Sequence, residues 1–255
     1  MKTLVIQSYR TRDVPDWIAR CLTSVKAWAY ARGYDHLMTD DRAFQLCGPD
    51  YLAKVGDNKQ PITDLARLEL IRIAHRDGYD RAIWVDADVF VFDPENLNLP
   101  PTERITFARE TWIEPQGTQW ICRPVQHNAF IICPAGDPDI GFIIEAVRHT
   151  ARVHRVRSNN HLGVDLIRGL HNFLVFPLVQ DVGLLSNHVL LAIARGDEAV
   201  MNYQARYHQT PIHAANLCAS LNYSPSVPEA DIRRVMDLLE TTRGGVLNDR
   251  LPTSA

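Results

Sequence analysis

The chain has 255 residues, 46 % of them hydrophobic, with Lys+Arg 27 against Asp+Glu 30 and a formal net charge of −3. That length fits one large α/β domain or two small ones, and the composition excludes collagen-like, disordered and low-complexity classes. The charge balance lacks the positive excess of a general nucleic-acid binder, and no apolar run reaches the roughly 18 residues of a membrane-spanning helix.

Thr3 to Ser8 reads as a buried first strand. Its apolar stretch is too short for a signal-peptide core, so the expectation is no export and a cytoplasmic protein. Asp16 to Arg32 carries Ile18, Cys21, Leu22, Val25, Trp28 and Ala29 on one stripe, an amphipathic helix started by Pro15-Asp16 and ended by Gly33. His36 to Thr39 reads as a short second strand. Thr63 to Arg76 reads as a helix burying Leu65, Leu68, Ile71 and Ala74. Ala82 to Val85 is continuously apolar, as in a strand covered on both faces, and Val89 to Phe92 resumes that character. Ile105 to Ala108 and Phe130 to Cys133 read as further strands; Ile140 to Arg152, Asn187 to Arg195 and Glu229 to Thr242 read as helices. This alternation predicts an α/β fold with a mostly parallel, Rossmann-like central sheet flanked by helices. The expected organisation is a main domain over residues 1–225, with a C-terminal amphipathic helix and tail over 226–255. Cys21, Cys47, Cys122, Cys133 and Cys218 are odd in number and form no CxxC, which points to ordinary reduced thiols.

The most informative segment is Ile83-Trp84-Val85-Asp86-Ala87-Asp88-Val89-Phe90. Aspartate is depleted in strands, and a buried unpaired carboxylate is costly. Two at i and i+2 project to one side of an extended chain, and two like charges so close call for a cation. A hard divalent ion, Mg²⁺ or Mn²⁺, takes one or two carboxylates plus substrate phosphates. The carboxyl end of a central parallel strand is also where open α/β sheets bind ligands. Upstream, Asp64 and Arg67 are i and i+3 on the predicted helix and share a face. Either they form a weak surface ion pair, or they present a carboxylate and a guanidinium to a sugar and a diphosphate. In the second case Arg67→Ala is expected to spare thermal stability.

Lys59, Thr63-Asp64-Leu65-Ala66-Arg67, Gly78-Tyr79-Asp80 and Ile83-Trp84-Val85-Asp86-Ala87-Asp88 together resemble the GT-A glycosyltransferases, especially the retaining types that use nucleotide sugars. The likeness runs from Leu4-Val5-Ile6-Gln7-Ser8-Tyr9 to Pro211-Ile212-His213-Ala214-Ala215-Asn216. The resemblance implies a single GT-A-type domain and a hexosyltransferase-type activity. A sugar would move from a nucleotide-diphosphate donor, a UDP-sugar first among them, to a glycan or lipid acceptor. It implies that Gln7, Ser8 and Tyr9 hold the nucleoside and that Lys59, Asp64 and Arg67 serve the donor. Asp86 would touch the ribose and the metal shell, Asp88 would be the principal metal ligand, and Asn128 of His127-Asn128-Ala129-Phe130 would approach the donor sugar. Asp165 in Leu162-Gly163-Val164-Asp165 and Asp181 compete for the place under the reacting sugar, and His213 would complete the metal site. An inverting reaction would need Glu110, Glu114, Asp165 or Asp181 as base.

Three other readings share the Asp-x-Asp segment: a haloacid-dehalogenase-type phosphatase, a metal-dependent nucleotidyltransferase and a non-catalytic nucleotide-sugar-binding module. The first expects a downstream lysine, yet none follows Lys59; the second expects a Gly-rich loop, yet Gln7-Ser8-Tyr9-Arg10 has no glycine. Arg148, His149, Arg152, His154, Arg155, Arg157 and His161 form a run with no acidic residue between Glu145 and Asp165. It reads as a solvated basic face or as a peripheral contact with an anionic membrane surface.

Overall fold

The computed structural model describes residues 1–156, 158–208, 210–218 and 225–252. In chain order, β1 (Thr3–Ser8) leads through α1 (Asp16–Ala31) to β2 (Asp35–Thr39). A 3-10 turn (Asp41–Cys47), α2 (Pro49–Val55) and α3 (Lys59–Arg76) precede β3 (Arg81–Val85) and the short β4 (Val89–Val91). A hairpin of β5 (Thr106–Gln116) and β6 (Gln119–Pro134) is followed by α4 (Ile140–Val153), α5 (Val164–Leu174), β7 (Leu178–Val179) and β8 (Val182–Leu184). The chain continues through α6 (Asn187–Arg195), α7 (Glu198–His208), β9 (Ala214–Asn216), α8 (Glu229–Thr242) and α9 (Gly245–Asn248).

The central sheet has the order β2-β1-β3-β6-β5-β7. β1 runs parallel to β2 and β3, and β7 parallel to β5; the hairpin strand β6 is antiparallel to both of its neighbours. The result is the mostly parallel α/β sheet that the alternation of elements predicts. Its inner strands are apolar on both faces because both faces are covered. Leu4, Ile6, Trp84, Ile131 and Cys133 point into a core shared with α3 and α4. Their alternates Val5, Ile83, Val85, Phe130 and Ile132 pack with Val25, Trp28 and Ala29 of α1. A second sheet, β4-β9-β8, sits beyond the carboxyl end of β3. A third apolar cluster joins it to α6 and α8, where Val235, Met236 and Leu239 are fully buried beside Phe90 and Leu190.

Several boundaries differ from expectation for local reasons. α3 starts at Lys59 rather than Thr63, because the Asn58 side chain caps it by accepting the Gln60 N–H at 3.3 Å. β5 and β6 extend far past the two short predicted strands, turning at Gly117 with φ 62°. Beyond the predicted segments they carry Arg109, Glu114 and Arg123, which break the apolar run. α2, α5, α7 and α9 are not among the predicted helices.

Arg148, first in the predicted basic run, is not a solvated cation. It donates to Glu69 Oε1 at 2.7 Å and to the Cys47 carbonyl at 2.9 Å. Arg157 of that run lies outside the described residues. No helix among the described residues is long and apolar enough to cross a membrane.

Candidate active site

β3 ends at Val85, and the chain then turns: the Asp86 N–H donates to the Ala129 carbonyl at 2.7 Å, and the Val89 N–H to the Asp86 carbonyl at 3.1 Å. This turn leaves Asp86 and Asp88 at the carboxyl end of the sheet, both lining a cleft of about 330 Å³. β9 reaches the same place from across the second sheet. Asn216 is in register with Val89, and the Leu217 N–H donates to the Asp88 carbonyl at 2.9 Å.

The floor of the cleft is a buried charge network. Asp64 and Arg67 are each 4 % exposed, which removes the surface-pair reading. Arg67 Nη2 stands 3.2 Å from Asp64 Oδ1, and Arg67 Nη1 stands 3.2 Å from Asp86 Oδ1. Arg67 also donates to the Asn128 carbonyl at 2.6 Å and to the Thr63 carbonyl at 3.3 Å, and its guanidinium lies over the Trp84 ring. Trp84 Nε1 donates to Asp86 Oδ1 at 2.6 Å, and Asn128 Nδ2 donates to Asp64 Oδ1 at 2.9 Å. Burial pushes the Asp64 carboxyl up to about 6 against the pull of Arg67 and Asn128, and Asp86 adds to the rise. Gly163, which precedes α5, lies directly against this carboxylate: a Cβ there would stand 2.3 Å from Asp64 Oδ2.

A second buried group sits behind Asp88. Glu110 on β5 is wholly buried and accepts from Asn216 Nδ2 at 3.0 Å. Burial pushes its carboxyl well above the usual range, reinforced by Asp88 and Asp86 and opposed by the Asn216 hydrogen bond. His127 Nδ1 lies 3.2 Å from Glu110 Oε1 and accepts the Ala129 N–H at 3.0 Å. Burial, and then Arg67, hold that imidazole down at about 3, so it is neutral at ordinary pH.

Of the residues singled out from sequence, Asp64, Arg67, Asp86, Asp88, Glu114, Asn128 and Asp165 line this one cleft. Ser8 and Asp86 leave adjacent parallel strands side by side, two residues past the Ile6–Trp84 register pair. Gln7 is fully buried, with its carboxamide oxygen 3.1 Å from His36 Nε2 on β2, and Tyr9 packs on the apolar cluster under α6 and α8. Lys59 is exposed and paired with Asp41.

Two residues fall elsewhere. Asp181 precedes β8, and its carbonyl accepts the His213 N–H at 2.9 Å. His213 itself is level with Phe92 and Asp93, whose N–H groups both donate to its carbonyl at 3.1 Å. Four residues of strand separate that level from Asp88, about 13 Å. Its Nδ1 is 2.9 Å from Asp93 Oδ2, a buried carboxylate to which the half-exposed Arg243 also donates at 2.6 Å. The structure therefore does not bring His213 to the carboxylate pair. Asn216, three residues on, reaches the cleft instead. Among the described residues, no group of three or more His, Cys, Asp or Glu side chains is placed to hold a metal. Sequence reasoning missed Asn216 and Gly163 as site residues; the single signal was a glycine just ahead of the Val164-Asp165 helix start.

A solved glycosyltransferase involved in the glycosylation of the major capsid of PBCV-1 shares this fold. The TM-score is 0.53 at 12 % identity, over 93 % of this chain and 100 % of that one. The apo-form glycosyltransferase GlyE of Streptococcus pneumoniae TIGR4 is more distant, with a TM-score of 0.42 at 10 % identity over 95 % of this chain and 64 % of that one. The PaToxG glycosyltransferase has a TM-score of 0.39 at 11 % identity, over 94 % and 86 %. No family model matches the chain, and no curated protein matches it by sequence. The chain thus has a fold found in a glycosyltransferase, with its carboxylate pair at the carboxyl end of the central sheet, where open α/β folds bind ligands.

Proposed function

We propose that the protein is a cation-dependent glycosyltransferase of the GT-A type, which moves a sugar from a nucleotide-diphosphate donor, a UDP-sugar first among them, to a glycan acceptor. The observation that carries this reading is the Asp86–Asp88 pair over the buried Asp64–Arg67–Asn128 floor, in one cleft at the carboxyl end of β3.

Asp88, with Asp86 beside it, is the pair of hard oxygen ligands that Mg²⁺ or Mn²⁺ takes from a protein when phosphate and water supply the rest. The bound cation would offset negative charge on the departing diphosphate. Arg67 has its hydrogen bonds committed to Asp64, Asp86 and two carbonyls, so we assign it as a positioning residue that fixes both carboxylates rather than as a direct phosphate contact. Asp64 and Asn128 then offer a fixed acceptor and donor to the hydroxyls of the donor sugar, holding the anomeric carbon against the acceptor. Asp165, exposed at the start of α5 and lining the cleft, is the carboxylate best placed on the acceptor side.

Thermal shift with a panel of nucleotide sugars, with and without Mn²⁺, tests this. A donor at about 100 times its dissociation constant adds about 2.7 kcal/mol of stability. The expected result is a Mn²⁺-dependent rise for at least one donor, lost in Asp88→Asn. No rise with any donor in the wild type refutes the reading.

A further inference from the structure

From residue 119 to 127, β6 has β5 on one side only; its pairing with β3 begins at Phe130. α5 lies along this open edge. Arg123, Val125 and His127 line the cleft, while Pro124 and Gln126, on the alternate face of the strand, line a second groove of about 380 Å³. Asp165, Arg168, Gly169 and Asn172 of α5 form its other wall, and Asp165 and Arg168 belong to both hollows. They stand on the rim over which a molecule in the cleft would continue into the groove.

The chemistry of the lining is specific. Gln126 and Asn172 each both donate and accept; Arg168 donates and Asp165 accepts, with their charges offsetting. Among the described residues that line the groove, Pro124 is the sole apolar side chain, so the groove itself suits hydroxyls better than an acyl chain. Gly169 lies mid-helix, where alanine would be favoured by about 1 kcal/mol, and a Cβ there would meet open space. The missing side chain therefore leaves a gap in the wall rather than relieving a clash. One turn on, at the i+4 position of the Asp165–Gly169 row, stands Phe173, 85 % exposed. The ring lies outside the groove's own lining, and its exposed face is free to stack on a sugar that leaves the groove.

We propose that this groove is an acceptor subsite for a neutral oligosaccharide. One sugar ring would pack its C–H face on Phe173, another would fill the gap at Gly169, and hydroxyls would bond Gln126, Arg168 and Asn172. The assignment as an acceptor site rests on the glycosyl-transfer reading; the saccharide-binding chemistry does not.

The test is titration of the full chain, with UDP and Mn²⁺ present, by maltohexaose, cellohexaose, chitohexaose and mannohexaose, followed by saturation-transfer NMR. Gly169→Leu fills the gap with a better helix former, and Phe173→Ala alters an exposed side chain, so both variants fold. The expected result is binding of at least one hexasaccharide, weakened about tenfold or more in both variants, with the nucleotide-sugar thermal shift unchanged. No hexasaccharide binding, or binding indifferent to both substitutions, overturns the proposal. Because donor binding is read separately by thermal shift, loss of one reading leaves the other standing or fallen on its own result.

Discussion

Asp64→Asn is a near-isosteric change that removes one charge from the floor of the cleft. The Asp64 carboxyl is raised from 3.8 to about 6 in the folded protein, chiefly by burial. The folded state therefore holds more protons than the unfolded chain between those values, and wild-type stability falls as pH rises from about 4 to 6. A shift of about two units corresponds to up to roughly 3 kcal/mol between the fully protonated and fully ionised limits. Asparagine cannot ionise, keeps an acceptor oxygen for Asn128 and Arg67, and removes this slope. Urea denaturation of both proteins from pH 4.5 to 8 measures it. Relative to wild type, the variant should gain stability steadily as pH rises through 6, then hold that gain to pH 8. Other buried carboxyls such as Glu110 contribute equally to both proteins and cancel in the difference. Parallel pH profiles would refute the burial argument.

The remaining predictions concern the supports of the same cleft and its surroundings. Arg67→Met should cost about 3–5 kcal/mol at pH 8 and less at pH 5, where Asp64 is protonated, contrary to the stability-neutral effect expected from sequence; denaturation at the two pH values checks this. Gly163→Ala drives a methyl into Asp64 Oδ2 and should cost about 1–3 kcal/mol while weakening donor binding, as calorimetry will show. Burial raises the Asp93 carboxyl, but hydrogen bonds from Asn96, Arg243 and His213 more than offset it and leave it below 3.8. Its stabilisation is present above that value and lost as pH falls below it, so Asp93→Asn should abolish this acid-side loss in a thermal-melt series. His213→Ala should lower the melting temperature but leave the Mn²⁺ half-saturation of donor binding unchanged.

What was legible in the sequence is what short-range periodicity encodes. Thr3–Ser8 was delimited by its apolar run, and Asn187–Arg195 and Glu229–Thr242 by apolar stripes at helical spacing. The outer hairpin was not, because its residues face a polar cleft and a polar groove on opposite faces, and the signal for a strand is apolar burial. Within the site, the i,i+3 spacing of Asp64 and Arg67 placed them on one helix face. Only packing against β3, β6 and Gly163 made that face interior, turning a pair worth tenths of a kcal/mol at a surface into a network that tolerates no missing partner.

His213 illustrates the opposite limit. Nothing local distinguishes it from a ligand: a short extended stretch precedes it and small residues follow. Its position is decided by the antiparallel register of β9 on β4, which pairs Ala214 with Val91 and Asn216 with Val89. A slide of the ladder by three or four residues would carry the imidazole to Asp88. The same slide would drag Ala214 and Ala215, both fully buried, out of the core contacts they share with Val91 and Phe90. Register here is held by close packing of small residues, and small residues carry almost no register information in a single sequence. The histidine is consequently committed to Asp93, which also accepts from Arg243 and so ties the chain just before β9 to the end of α8. An amide, Asn216, faces the carboxylates and keeps Glu110 hydrogen-bonded beneath them.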